Sequence, residues 1–209
     1  MTNLDKLEKL RKQNVLYRWD LTAEELTSII DTNPSLRGFV FGYVAEYKLK
    51  RLYFSDARVS EVTKDDDHNR EKKGDIRLTY RHKTFRIESK SLQTNTIKKD
   101  GAKFSAIYQC DASDSRNVMF SDDSQVKTTC LRVGEFDLVA VNLFGFSKKW
   151  EFAFALNRDL PRSKFKRYTS LQQSELLASS MPITWPLIDP YVKDPFVLLD
   201  RLVDESLSR

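Results

Sequence analysis

Residues 75–90 read Asp-Ile-Arg-Leu-Thr-Tyr-Arg-His-Lys-Thr-Phe-Arg-Ile-Glu-Ser-Lys, and their alternation decides the fold. Ile76, Leu78 and Tyr80 fall on one face, Asp75, Arg77 and Thr79 on the other. Past Arg81 and His82 the alternation resumes, with Phe85 and Ile87 set against Thr84, Arg86, Glu88 and Lys90. A period of two is the mark of a half-buried strand. A hairpin whose loop is Arg81-His82 sets Tyr80 opposite Lys83, Leu78 opposite Phe85 and Ile76 opposite Ile87. A slip of one residue would oppose apolar to polar, so patterning selects this register.

The same register sets Asp75 opposite Glu88. Two carboxylates across a strand pair repel each other. A divalent cation between them removes the conflict, because hard cations take one or two carboxylates plus water and substrate phosphate. Lys90 projects from the same face. An ammonium there can orient or deprotonate an attacking water, or stabilise charge developing on a phosphate. The bland alternative is a solvated sheet face, since outward polar residues are ordinary in antiparallel strands.

Gly74-Asp75, followed by Glu88-Ser89-Lys90 at the end of an apolar strand, resembles the PD-(D/E)xK nuclease superfamily, which includes most restriction endonucleases. The resemblance implies that Asp75 and Glu88 bind magnesium, that the Ser89 carbonyl is a further ligand, and that Lys90 is the catalytic lysine. Manganese is expected to substitute for magnesium. Gly74 stands where the motif's name has Pro. Several members carry a Glu on the helix preceding the motif sheet, and Glu46 matches that position. Asp137, near the start of a later apolar run, also resembles a recurring feature of restriction enzymes.

The 209 residues suit one domain, with 1–33 as an N-terminal helical segment, 35–156 as the catalytic core and 157–209 as a basic segment with helices. Hydrophobic residues make 40% and charged residues 31%, with net charge +5, a soluble and modestly basic mix that permits a polyanionic partner. Cys110 and Cys130 show no metal-ligand spacing and read as small buried hydrophobes. No apolar run approaches the ~20 residues of a membrane span, and residues 1–6 do not read as a signal peptide, so a cytoplasmic protein is expected. His68 and His82 are the only histidines, which disfavours His-dependent catalysis.

Leu4, Leu7 and Leu10 predict a short helix over 3–13. Thr22 and Glu25 form a capping box for a helix to about Asp31. A third helix is expected over about 35–53, and a strand over 55–63. Residues 64–73 form a charged loop whose Asp65-Asp66-Asp67-His68 run lacks a scaffold to fix a metal. Residues 103–112 alternate weakly as a strand, and 111–125 read as a loop or short hairpin around Arg116. Residues 136–144 predict a strand buried on both faces, and 150–156 a second, joined through a tight connection. Residues 158–168 hold Arg158, Arg162, Lys164, Lys166 and Arg167 with Phe165 and Tyr168 interleaved, a composition suited to phosphates. The candidate DNA contacts are these five and Arg116. A helix is expected over 170–180, an extended or turned proline-rich stretch over 182–195, and a final helix over 196–206.

Helices, a hairpin and further strands make an α/β (α+β) protein, with a central mixed sheet flanked by helices. The resemblance implies the restriction-endonuclease-like fold and a magnesium-dependent endonuclease that cuts double-stranded DNA as a homodimer. Structure-specific, repair and modification-dependent nucleases, and a DNA-binding module without catalysis, remain the alternatives.

Overall fold

The computed structural model describes residue 8 and residues 14–64 and 74–208. The helix expected over 3–13 and the acidic run at 65–68 lie outside these residues, apart from Glu8, which is helical. The chain divides into two compact units, residues 1–44 and 45–209.

The first unit is helical. Helix α1 spans Val15–Trp19 behind an Asn14 cap. Helix α2 spans Ala23–Thr32 behind the expected capping box: the Thr22 hydroxyl accepts from the Glu25 N–H, and the Glu25 carboxylate accepts from the Thr22 N–H. Helix α3, Pro34–Leu52, crosses the boundary between the units.

The second unit is built on a five-stranded sheet. Its strands are β1 (Val59–Thr63), β2 (Ile76–Tyr80), β3 (Lys83–Ser91), β8 (Leu138–Asn142) and β9 (Phe152–Leu156), in the order β1-β2-β3-β8-β9. All neighbours are antiparallel except β3 and β8, which run parallel. The sheet is therefore mixed. A parallel pair needs a long crossover. Here it contains β4 (Lys98–Asp100), β5 (Lys103–Gln109), β6 (Asp111–Met119) and β7 (Gln125–Cys130).

The β2–β3 hairpin has the register that patterning selects: Ile76 opposite Ile87, Leu78 opposite Phe85 and Tyr80 opposite Lys83. Arg81 and His82 both take positive φ, 46° and 65°. That is the twist a two-residue hairpin loop demands.

One face of the sheet buries Ile76, Leu78, Tyr80, Phe85 and Ile87 against Ala45 and Leu49 of α3 and Phe196, Leu199 and Val203 of α6 (Pro195–Leu207). The other face buries Val139, Val141, Ala153 and Ala155 against a second sheet, in which β5 lies between β4 and β10 (Ser180–Trp185), and which contributes Ala106, Tyr108, Met181 and Ile183. Strand β8 is buried at every position, as its uninterrupted apolar run requires.

Three expectations change in detail. The tight connection between β8 and β9 contains a short helix α4, Phe144–Ser147. The helix expected over 170–180 stops as α5 at Glu175, and Ser180–Trp185 forms strand β10. Pro182 is tolerated in β10 because that strand pairs only with β5 and forms a sheet edge. The polar stretch 111–125 belongs to a hairpin much longer than expected, β6–β7, which with Leu176 closes a small cluster around Val118, Phe120 and Cys130.

Candidate active site

The backbone around Gly74 fixes the first carboxylate. Gly74 has φ +83°, and a Cβ there would lie 3.2 Å from the Arg86 Cβ. Proline, locked near −65°, cannot take that conformation, so glycine at position 74 is a local structural need. The Asp75 N–H donates to the Ile87 carbonyl at 2.9 Å. The Asp75 carboxylate then accepts from the Ser89 N–H at 2.7 Å. A side chain thus supplies the rung beyond Ile76–Ile87 that a peptide carbonyl would otherwise make.

Glu88 and Lys90 pair with Val139 and Val141 across the parallel ladder. Both valines sit in the core beneath the second sheet, and that places Glu88 and Lys90 at the margin of this apolar layer. The Lys90 ammonium lies 2.8 Å from Glu88 Oε1, their side chains keeping only 18% and 11% of their surface. It also donates to the Asp111 carbonyl at 3.1 Å, which ties β3 to the start of β6. Glu46, on α3, holds the Lys64 ammonium at 2.6 Å.

These charges feel one another. Burial pushes the Glu88 carboxyl up to about 7; Lys90 opposes the rise, and the Asp75 and Glu135 carboxylates add to it. Burial also raises Asp75, with Lys90 and the Ser89 N–H opposing, Glu46 adding and Lys64 opposing. Burial pulls Lys90 down, but Glu88 and Asp75 outweigh it, so the amine is held firmly as an ammonium. Asp75, Glu88, Lys90, Glu46 and Lys64 therefore form one electrostatic cluster. Lys64 and Glu135 were not singled out in the sequence, because neither falls in the hairpin pattern that exposed the rest.

Among the described residues, no group of three or more His, Cys, Asp or Glu side chains is placed to hold a metal ion. Asp75 and Glu88 alone make a two-carboxylate donor set. Both carboxyls are raised chiefly by burial, and a dication bound between them would stabilise their ionised forms. The buried Cys110 thiol nearby is pushed up to about 12, chiefly by burial, which makes it a poor nucleophile. Asp137 is structural: its carboxylate accepts from the Arg86 N–H at 2.6 Å, and its own N–H donates to the Arg86 carbonyl at 2.8 Å.

The expected DNA-contact residues divide. Arg116 pairs with Glu135 at 2.5 Å. Arg158 forms a two-pronged pair with Glu205 at 2.6 and 2.5 Å. Arg162 donates to the Leu160 and Arg158 carbonyls at 2.5 and 2.7 Å. Lys164, Lys166 and Arg167 are exposed and take no part in an ion pair among the described residues. No helix among the described residues is long and apolar enough to cross a membrane.

Comparison with known proteins adds no family to this geometry: no family model matches the chain, and neither a curated protein nor a solved structure matches it.

Proposed function

We propose that the chain is a magnesium-dependent endodeoxyribonuclease of the PD-(D/E)xK type, with a restriction-endonuclease-like fold, acting on double-stranded DNA. The observation that carries this reading is the convergence of Asp75, Glu88 and Lys90 in one buried cluster at the end of the β2–β3 hairpin. Such a cluster opposes two carboxylates at a cost in burial that a solvated sheet face does not incur.

Asp75 and Glu88 would hold the ion, with the Ser89 carbonyl available beside them. Bound magnesium supplies Lewis-acid polarisation of the scissile phosphate. Lys90 is protonated in this setting, so its part is to donate: it orients the attacking water and stabilises negative charge growing on the phosphate. It is not the base. Glu46 and Lys64 set the charge around Asp75 from the α3 side. Lys164, Lys166 and Arg167 are the exposed cations free to meet the DNA backbone. Cutting both strands at a palindromic site calls for two such centres, hence a homodimer in the cytoplasm, the restriction-enzyme arrangement.

The test is incubation of the protein with plasmid or phage DNA in magnesium, beside Asp75→Asn, Glu88→Gln and Lys90→Met. Discrete fragments from the wild type alone support a sequence-specific nuclease. Cleavage that survives all three substitutions overturns the assignment. Binding without cleavage in magnesium or manganese replaces it with a DNA-binding module.

A further inference from the structure

The first unit, residues 1–44, buries nothing among its described residues. Helices α1 and α2 contain no buried residue, and the two that α3 buries, Ala45 and Leu49, both belong to the second unit. Yet the unit is rich in apolar side chains. Phe39 keeps 69% of its surface, Trp19 63%, and Tyr17 and Tyr43 50% each. Leu36, Phe39 and Tyr43 recur at i, i+3 and i+7, which places them on one face of α3. Single exposed hydrophobics are ordinary; a helical unit whose described apolar side chains are all exposed or half-buried is not. A segment this small usually needs a disulfide, a metal or a second copy to supply a core. Residues 1–44 contain neither Cys nor His, and no carboxylate cluster placed for a metal occurs among the described residues, which leaves the copy.

We propose that this unit is where two copies of the chain join about a two-fold axis, through the exposed apolar side chains of α1 and α3. A two-fold contact uses the same patch on both partners. The area suits it. At ~200 Å² per aromatic side chain, Tyr17, Trp19, Phe39 and Tyr43 expose roughly 460 Å². A standard interface takes about 800 Å² from each partner, of which about 57% is apolar, so these four rings supply the apolar share. Tyr, Trp and Phe are also the residues enriched at interface cores. Charge points the same way. Residues 1–44 hold six basic and six acidic residues, so two copies meet without net repulsion. The same neutrality disfavours a polyanion, since the chain's whole excess of +5 lies in residues 45–209. A membrane surface is disfavoured as well, because α2 carries Glu24 and Glu25 in its first turn and no basic residue. The interface gives the proposed double-strand cut its joining surface, but it stands on the exposure of these rings and not on cutting.

The experiment is sedimentation equilibrium of the whole chain in chelator, beside Phe39→Glu, Trp19→Glu and, as a control at an exposed apolar residue of the second unit, Val197→Glu. A mass twice the 24.4 kDa of one chain is expected. Phe39→Glu and Trp19→Glu each raise the dimer dissociation constant by about thirtyfold, and Val197→Glu leaves it unchanged. Circular dichroism checks that each variant folds. Photoreactive p-benzoylphenylalanine in place of Phe39, in a mixture of heavy- and light-isotope chains, locates the contact without loss of the ring. Crosslinks between chains, within residues 14–44, are expected. The mass of one chain at every concentration overturns the proposal, as does a dimer that Phe39→Glu and Trp19→Glu both leave intact. Crosslinks confined to residues 45–209 of the same chain overturn it too. Co-sedimentation of a monomeric wild type with phosphatidylserine vesicles, abolished by Phe39→Glu, replaces the second copy with a lipid surface. Plasmid cleavage keeps the two readings apart. A dimer broken by Phe39→Glu in a protein that cuts in no metal leaves this interface standing and removes the nuclease. Asp75-dependent cutting by a protein that stays monomeric does the reverse.

Discussion

Two charged stretches of this chain look alike in sequence and behave differently in the fold. Residues 75–90 alternate charge with apolar side chains, and folding gathers Asp75, Glu88 and Lys90 into a shielded cluster. Residues 158–168 carry a denser run of cations, yet Arg158 and Arg162 are taken up by Glu205 and by nearby carbonyls, and Lys164, Lys166 and Arg167 face outward. Register decides the first case: a period of two, pinned by a hairpin, brings distant charges together whether or not they attract. In the second, Arg158 and Arg162 find acceptors close by, and the two lysines and Arg167 do not among the described residues. Counting charges misses this difference; locating their partners reveals it.

The largest test of that contrast is catalytic. Asp75→Asn, Glu88→Gln and Lys90→Met should each lower magnesium-dependent cleavage by about 10³-fold or more, since each removes charge at the point where it develops. Replacing Lys164, Lys166 and Arg167 together by Gln should leave single-turnover cleavage at saturating protein near the wild-type rate. It should lower the salt slope of duplex binding by about 2.7, from 0.9 per lost phosphate contact. An unchanged slope would move the DNA path elsewhere. Glu46→Gln should have a smaller effect on cleavage, about tenfold, because Glu46 acts on Asp75 through its charge.

The pH dependence of stability separates the stretches next. Glu88 in the fold is pushed from its ordinary 4.5 to about 7. A carboxyl raised in this way stabilises the fold while protonated, so the contribution is present below about pH 4.5 and is lost as pH rises through about 7. Denaturant titrations in chelator should therefore show stability falling across that window. The fall should be shallower in Glu88→Gln and reversed by added magnesium. A flat wild-type profile would mean that Glu88 is not buried as described. The smallest effect belongs to Arg158→Ala. It should lower the melting midpoint slightly, because the Glu205 pair is more than a third exposed, and should leave the salt slope of DNA binding untouched.

Much of the fold could be read from residues whose reasons are local. The Arg81-His82 loop, the hairpin register, the Thr22–Glu25 cap and the buried strand at 138–142 all follow from neighbours in sequence. The β6–β7 hairpin could not, because Asp111–Met119 is mostly exposed and shows no clean alternation. Strand β10 was hidden by Pro182, which is harmless only at an edge that the sequence does not reveal. At the site, the β2–β3 residues were legible because one register fixes them. Lys64 and Glu135 join from elsewhere in the chain through tertiary packing, which carries no periodic signal.

The last rung of the hairpin has a practical use. Since the amide proton of Ser89 is satisfied by a carboxylate and not by a peptide oxygen, its protection from solvent deuterium is tied to the charge state of Asp75. That single N–H is a native probe: its exchange rate should respond when an ion draws electron density from Asp75, even in a variant that no longer turns over.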